Sequence, residues 1–210
     1  MVACLLTRRQ ALCFLGLLCF ASAAGAQDAT PVRSLLEIRQ KNVVVQQWDT
    51  SCGAAALATL LKYQHGLDVS EKQIAEAMLR TGDALKVKVR GGFSLLDLKR
   101  YADARGLEGV GYLQLGLDDL VAMAPAIVPI TTRGYPHFVV VRGRAGDKLL
   151  IADPAFGNRT MDVDAFESAW TQNIGFVVRR RDGLVPPNQL MKSSTDTLRP
   201  SDAAVRSALR

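Results

Sequence analysis

Cys52 stands in the run Gln46-Gln47-Trp48-Asp49-Thr50-Ser51-Cys52-Gly53, directly ahead of an Ala/Leu stretch that extends to Tyr63. The chain has four cysteines, and the other three, Cys4, Cys13 and Cys19, fall inside what reads as a secretory leader. A lone thiol in an exported protein has no disulfide partner and faces oxidation, so it is either buried and inert or kept for its chemistry. The attacking species of a cysteine is its thiolate, and a free thiol is mostly protonated at neutral pH. Two devices favour the anion: the positive end of a helix dipole and a neighbouring imidazole that accepts the proton. Cys52 has the first, because the predicted helix begins there. Gly53 lacks a Cβ, so a substrate or a neighbouring backbone can come close.

The second device requires a histidine, and the chain offers two, His65 and His137. His65 lies at the far end of the same helix, roughly 20 Å along its axis at about 1.5 Å per residue, and reads as a surface histidine. His137 opens the apolar run His137-Phe138-Val139-Val140-Val141, whose strand would hold the imidazole rigidly at the mouth of a sheet. The competing reading is a satisfied core histidine. A base of this kind needs a group that fixes its tautomer. Asp153 ends Lys148-Leu149-Leu150-Ile151-Ala152-Asp153, and a hairpin through Gly146-Asp147 would return it towards His137. The alternative is a plain Asp-Pro turn starter. Stabilising an oxyanion takes a further donor beside a backbone N–H. Gln46 and Gln47 lie six and five residues ahead of Cys52, and spacing favours neither.

The elements that must position these groups follow from periodicity and punctuation. Short β-branched Val43-Val44-Val45 predicts a strand or an extended stretch. Helices are predicted from Cys52 to about Tyr63 with Gly66 as a stop, from the Ser70 capping box to Gly82, from Ser94 to about Arg105, and over Leu117 to Ala124. Strands are predicted over 109–115, 126–132, 137–144, 148–153 and 173–180, with a helix after Asp162 through Phe166 and Trp170. Helices come first and an antiparallel sheet second, so the class is α+β. No internal repeat is visible.

Arg8 and Arg9, an apolar run from Ala11 to Ala24 and the small residues Ala24-Gly25-Ala26 make the three-part pattern of a cleavable signal peptide over residues 1–26. The run is shorter than the roughly 20 residues of a membrane span. Leu12 and Leu18 precede Cys13 and Cys19, where a lipoprotein signal takes a small residue. The expected location is therefore periplasmic, with no stable membrane insertion once the leader is gone. Removing 26 of 210 residues leaves 184, enough for one domain with a proper core. The leader holds two of the 26 basic residues and none of the 20 acidic ones, so the net charge falls from +6 to about +4. No Lys/Arg block or aromatic interleaving supports nucleic-acid binding. One retained cysteine and two histidines give no metal cluster, and no phosphate loop occurs. No cofactor is expected. Residues 27–40 read as a lead-in, 41–181 as the domain, and the Pro/Ser/Thr/Asp/Arg-rich 182–210 as a flexible tail.

The order Gln, Cys-Gly, His, Asp resembles a papain-type cysteine peptidase. More narrowly, Gln46 to Ala58, Pro136 to Val141 and Ile151-Ala152-Asp153-Pro154 resemble the bacteriocin-processing, double-glycine leader peptidases over about residues 41–181. The resemblance implies a papain-like fold, with an N-terminal helical part packed on a C-terminal antiparallel sheet. It implies Cys52 as nucleophile, His137 as general base, Asp153 as the group orienting the imidazole, and Gln46 rather than Gln47 as the oxyanion donor. Most such peptidases are cytoplasmic domains of ABC exporters. This chain carries a leader and no ATPase, and is more similar to stand-alone exported members that accompany functional-amyloid secretion systems. The resemblance therefore implies a peptide or protein substrate, an amyloid or secretion-system component, cut after Gly-Gly. Gly91, Gly92 and Ser94 are candidates for a groove narrow enough to favour glycine. Two rival functions use the same residues: a peptidase-like module that binds or chaperones an exported peptide, and a cell-wall amidase or transferase.

Overall fold

The computed structural model describes residues 34–184 and 186–191. The expected leader, the lead-in before Ser34 and the tail beyond Met191 lie outside the described residues. Within the lead-in, Ser34 and Glu37 form a reciprocal capping box, and residues Leu35–Gln40 make a short helix, α1. Residues 43–46 run extended without joining a sheet.

Helix α2, Cys52–Tyr63, is apolar on every side, and each residue from Cys52 to Leu61 is buried. A helix of that kind belongs inside a core. Its alanines keep the cylinder thin, so neighbours approach closely. Thr59, its one buried hydroxyl, is satisfied: Oγ1 accepts the Val44 N–H at 3.0 Å and donates to the Ala55 carbonyl at 2.9 Å. Helices α3 (Glu71–Thr81) and α5 (Leu95–Ala104) open with capping boxes at Ser70/Gln73 and Ser94/Asp97. Between them lies α4, Ala84–Arg90, which the sequence reading passed over because the intervening Gly82 looked like the end of helical chain. Asp83 caps it and left-handed Gly91 closes it.

The strands β1 (Leu107–Tyr112), β2 (Ala126–Thr132), β3 (Tyr135–Ala145), β4 (Lys148–Asp153), β5 (Gly157–Asp162) and β6 (Gly175–Arg180) form one sheet. Its order is β1-β6-β2-β3-β4-β5, and every pairing is antiparallel. Helices α6 (Leu117–Ala122) and α7 (Val163–Ala169) and a 3-10 turn over Thr171–Asn173 complete the chain's regular structure among the described residues. The sheet is covered on both faces. Ile127, Val140, Ala152 and Phe176 pack with α2, α3 and α5. Ala126, Val128, Val139, Val141 and Ile151 pack on the other face with Leu120 of α6 and Phe166 of α7. Burial on both faces explains why β2 and β3 read as continuous apolar runs rather than alternating ones. The fold is thus α+β with the helical first half on the sheet, as expected, and two later helices close the opposite face.

Strand β3 bulges between Val141 and Gly143, so Arg142 is the extra residue. Its guanidinium is buried and donates to the Leu190 carbonyl and to Asn158 Oδ1. Leu190 is itself fully buried, Gln64 Nε2 donates to the carbonyls of Pro186 and Pro187, and the Gln189 N–H donates to Gln64 Oε1. The segment expected to start a flexible tail is therefore docked through residues 186–191. Sequence composition missed this because the acceptors are backbone carbonyls, which carry no residue signature.

Candidate active site

The hairpin between β3 and β4 brings two of the predicted residues together. Val140 pairs with Ala152, so continuing the ladder sets Asp153 opposite Val139 and diagonal to His137. His137 and Asp153 then share a face, being two residues from Val139 and Ile151, which pack in one cluster. The side chains meet: His137 Nε2 lies 2.8 Å from Asp153 Oδ1. The Ala155 N–H donates to the same oxygen at 2.8 Å, and Arg159 Nε donates to Oδ2 at 2.8 Å. Asp153 is fully buried, so its charge depends on these three donors. Burial alone would raise its pKa. The His137 hydrogen bond and charge, the Ala155 N–H and the Arg159 charge outweigh it and hold the carboxyl below the ordinary range.

Cys52 completes the contact. It is the first residue of α2 and is 9% exposed. The thiol stands beside the imidazole, near enough to act on its protonation, and the two line one groove. With Nε2 taken by Asp153, Nδ1 is the nitrogen left for the sulfur. Burial would lower the His137 pKa, but the hydrogen bond it donates to Asp153, its interaction with Cys52 and the charges of both push it up to about 9. An imidazole in this setting readily holds a proton beside a developing thiolate.

Gln46 lies on the loop before α2, and its backbone N–H donates to the Pro154 carbonyl at 2.8 Å, which ties it to the turn just after Asp153. Its side-chain Nε2 donates to the Trp48 carbonyl at 3.0 Å, and its Oε1 is buried without a partner among the described residues. The second amide hydrogen remains for a ligand. Gln47 is exposed, and its N–H is committed to Glu71. His65 does not approach the site. Its Nε2 lies 3.1 Å from the Val178 carbonyl, and burial lowers its pKa. It is half-buried against β6 rather than on the surface.

A groove of about 410 Å³ runs past the thiol, bounded by Gly91, Gly92 and Ser94 on one side and Pro136, His137 and Phe138 on the other. Gly92 sits so close to the nucleophile loop that a Cβ there would be 3.2 Å from the Thr50 carbonyl oxygen. At Gly53 a Cβ would meet Leu98 Cδ1 and Phe138 Cδ2, each at 3.3 Å. Two residues of this site carry no signal in one sequence. Arg159 is recognisable only once β5 is seen to pair with β4. Glu71 looked like an ordinary first-turn acid.

Comparison with known proteins agrees with the geometry. The Peptidase C39 family matches residues 40–182. A probable functional amyloid protease, FapD, from Pseudomonas fluorescens is 41% identical over 174 residues, covering 78% of this chain and 76% of that protein. Its counterpart from Pseudomonas aeruginosa is 35% identical over 164 residues, covering 76% and 72%. Among solved structures, a double-glycine-motif protease from an AMS/PCAT transporter, in complex with the leader peptide, superposes with a TM-score of 0.54 at 28% identity, covering 66% of this chain and 90% of that one. The peptidase domain of Streptococcus ComA, a bi-functional ABC transporter, shares the fold, with a TM-score of 0.55 at 24% identity and coverage of 66% and 98%.

Proposed function

The chain belongs to the Peptidase C39 family, and from that premise we propose that it is an exported endopeptidase whose Cys52 attacks a peptide carbonyl. That it is a cysteine peptidase follows from the family and its relatives. The assignment of roles rests on one observation: His137 hydrogen-bonds to Asp153 and stands beside Cys52 in the groove. In this reading the thiol proton passes to His137 as sulfur bonds to the carbonyl carbon. The resulting oxyanion is held by the Gln46 amide and by a backbone N–H at the start of α2, where helical amides have no partner within the helix. His137 gives the proton to the departing amine, leaving an acyl-enzyme. Water, deprotonated by His137, then releases the acid. Asp153 keeps Nε2 engaged throughout and faces an imidazolium in the charged states.

The substrate in this proposal is an extended segment of an exported protein, a component of a functional-amyloid system, cut after Gly-Gly. The amyloid element is supported by the Pseudomonas relatives, the glycine preference by the double-glycine protease and by the close approach of Gly92 to Thr50. Export rests on the leader pattern of residues 1–26. Cys52→Ala is expected to remove cleavage of a Gly-Gly peptide, with an unchanged melting temperature. Cleavage at the wild-type rate would reject Cys52 as the nucleophile. Sequencing the N-terminus of the periplasmic protein tests export, with Gln27 the expected first residue.

A further inference from the structure

Helices α1, α3 and α5 each begin with a serine whose hydroxyl accepts an N–H of its own first turn. Helix α2 also follows a serine, Ser51, yet Ser51 makes no such cap. Its hydroxyl is turned the other way, its single proton shared between the Trp48 carbonyl, at 2.7 Å, and Glu71 Oε1. The Glu71 carboxylate is 3% exposed. It also takes the Gln47 N–H on both oxygens, at 3.0 and 3.1 Å. One buried carboxylate thus grips the loop at Gln47 and at Ser51. These are the neighbours in sequence of Gln46 and Cys52.

We infer that Glu71 is a positioning residue for the oxyanion side of the site, an inference that rests on the roles given above to Cys52 and Gln46. Glu71 performs two tasks through the loop. It fixes the backbone from which the Gln46 amide projects. It also keeps the Ser51 hydroxyl away from the first amides of α2, which a serine in that place would otherwise occupy. Those amides then stay open for the negative oxygen that forms during acyl transfer. Glu71 touches neither sulfur nor imidazole, so its removal should spare the nucleophile and weaken the oxyanion.

Two probes separate these effects. Iodoacetamide alkylates the thiolate by displacing iodide from carbon, and no oxyanion forms. A peptide aldehyde adds the Cys52 sulfur to its carbonyl carbon, giving a reversible thiohemiacetal whose oxygen sits where the oxyanion would. Aldehydes ending in glycinal and in leucinal are compared, and the tighter one on wild type is used. For Glu71→Gln, the expected result is an aldehyde dissociation constant weakened about tenfold, with the iodoacetamide rate changed by less than about threefold. This is a fraction of the roughly 100-fold or greater loss seen when an oxyanion donor is deleted outright. Combining Glu71→Gln with Gln46→Ala should weaken binding by less than the product of the single effects, because the first acts partly through the second.

Unchanged aldehyde affinity in folded Glu71→Gln overturns the inference, as does an equal loss with both probes, which would mark a general loosening of the loop. Should Glu71→Gln fail to fold, Ser51→Ala removes one arm of the grip and is expected to show a smaller loss in the same direction. Equal aldehyde and alkylation changes there would also overturn it. Failure of the underlying assignment looks different: an aldehyde that binds Cys52→Ala as tightly as wild type removes the nucleophile, and the Glu71 inference with it.

Discussion

At the scale of single residues, the site depends on where a few protons sit. His137 has a folded-state pKa near 9, above its ordinary 6.5, so the charged imidazole adds stability. That contribution is complete below about pH 6.5 and disappears as pH rises through 9. Asp153 is shifted down, so its contribution is present above its ordinary 3.8 and lost as pH falls below that value. The groups facing His137 are Asp153 and Cys52, with Arg159 one carboxylate away. The melting temperature is predicted to decline from about pH 6.5 to 9 in wild type and to lose that decline in His137→Ala. An equal slope in both proteins would mean that the titrating group lies elsewhere. Asp153→Asn should shrink the decline and bring its upper end below pH 9, because an amide holds an imidazolium less well than a carboxylate.

The site residues were legible in the sequence because each stands at an element boundary with its own punctuation: Cys52 before an Ala/Leu helix, His137 at the head of an apolar strand, Asp153 before proline. Glu71 and Arg159 were not legible. Glu71 reaches back across the chain to the loop before α2, and Arg159 reaches across a strand pair. Neither distance leaves a local pattern.

Among the elements, α2 and the β3–β4 hairpin do most of the positioning. Sequence patterning found both, since one is long and helical in composition and the other has a clear glycine turn at Gly146. The strand β5 went unread. Its sequence Gly157-Asn158-Arg159-Thr160-Met161-Asp162 lacks β-branched bulk apart from Thr160, and its stability comes from pairing with β4. It begins at Gly157, which has φ 80° and lies against α1 so tightly that a Cβ would be 2.5 Å from the Arg39 carbonyl oxygen. Gly157→Ala combines a strained left-handed backbone with a backbone clash. It is predicted to destabilise by about 2–4 kcal/mol, and to slow Cys52 alkylation because Asp153 pairs with Gly157. Urea denaturation and labelling measure the two effects. A change below about 0.5 kcal/mol would show that α1 simply moves aside.

For the molecule as a whole, the docked 186–191 segment changes what counts as the domain. A chain stopped after Leu184 would lose the Leu190 carbonyl that receives the Arg142 guanidinium and the buried Leu190 side chain. Burial already lowers the Arg142 pKa to about 10, and taking away a partner of a buried charge is costly. The truncation is expected to destabilise by about 3–5 kcal/mol in urea. Equal stability of the truncated and full-length chains would show the segment to be incidental to the core. Over residues 186–191 the expectation of a flexible tail does not hold, for a physical reason. Composition reports how much apolar surface a segment can bury by itself. It is silent on one leucine and a row of carbonyls that complete a core built from other parts of the chain.

The strand order has a consequence in time. Among the described residues β6 is the last strand made, and it lies between β1 and β2, both made at least 40 residues earlier. During synthesis the chain already contains Cys52, His137 and Asp153, but the central seam of the sheet stays open until Gly175–Arg180 has emerged. The nucleophile is thus written early and predicted to be armed late: ribosome-arrested chains ending before Gly175 should label with iodoacetamide no faster than free cysteine.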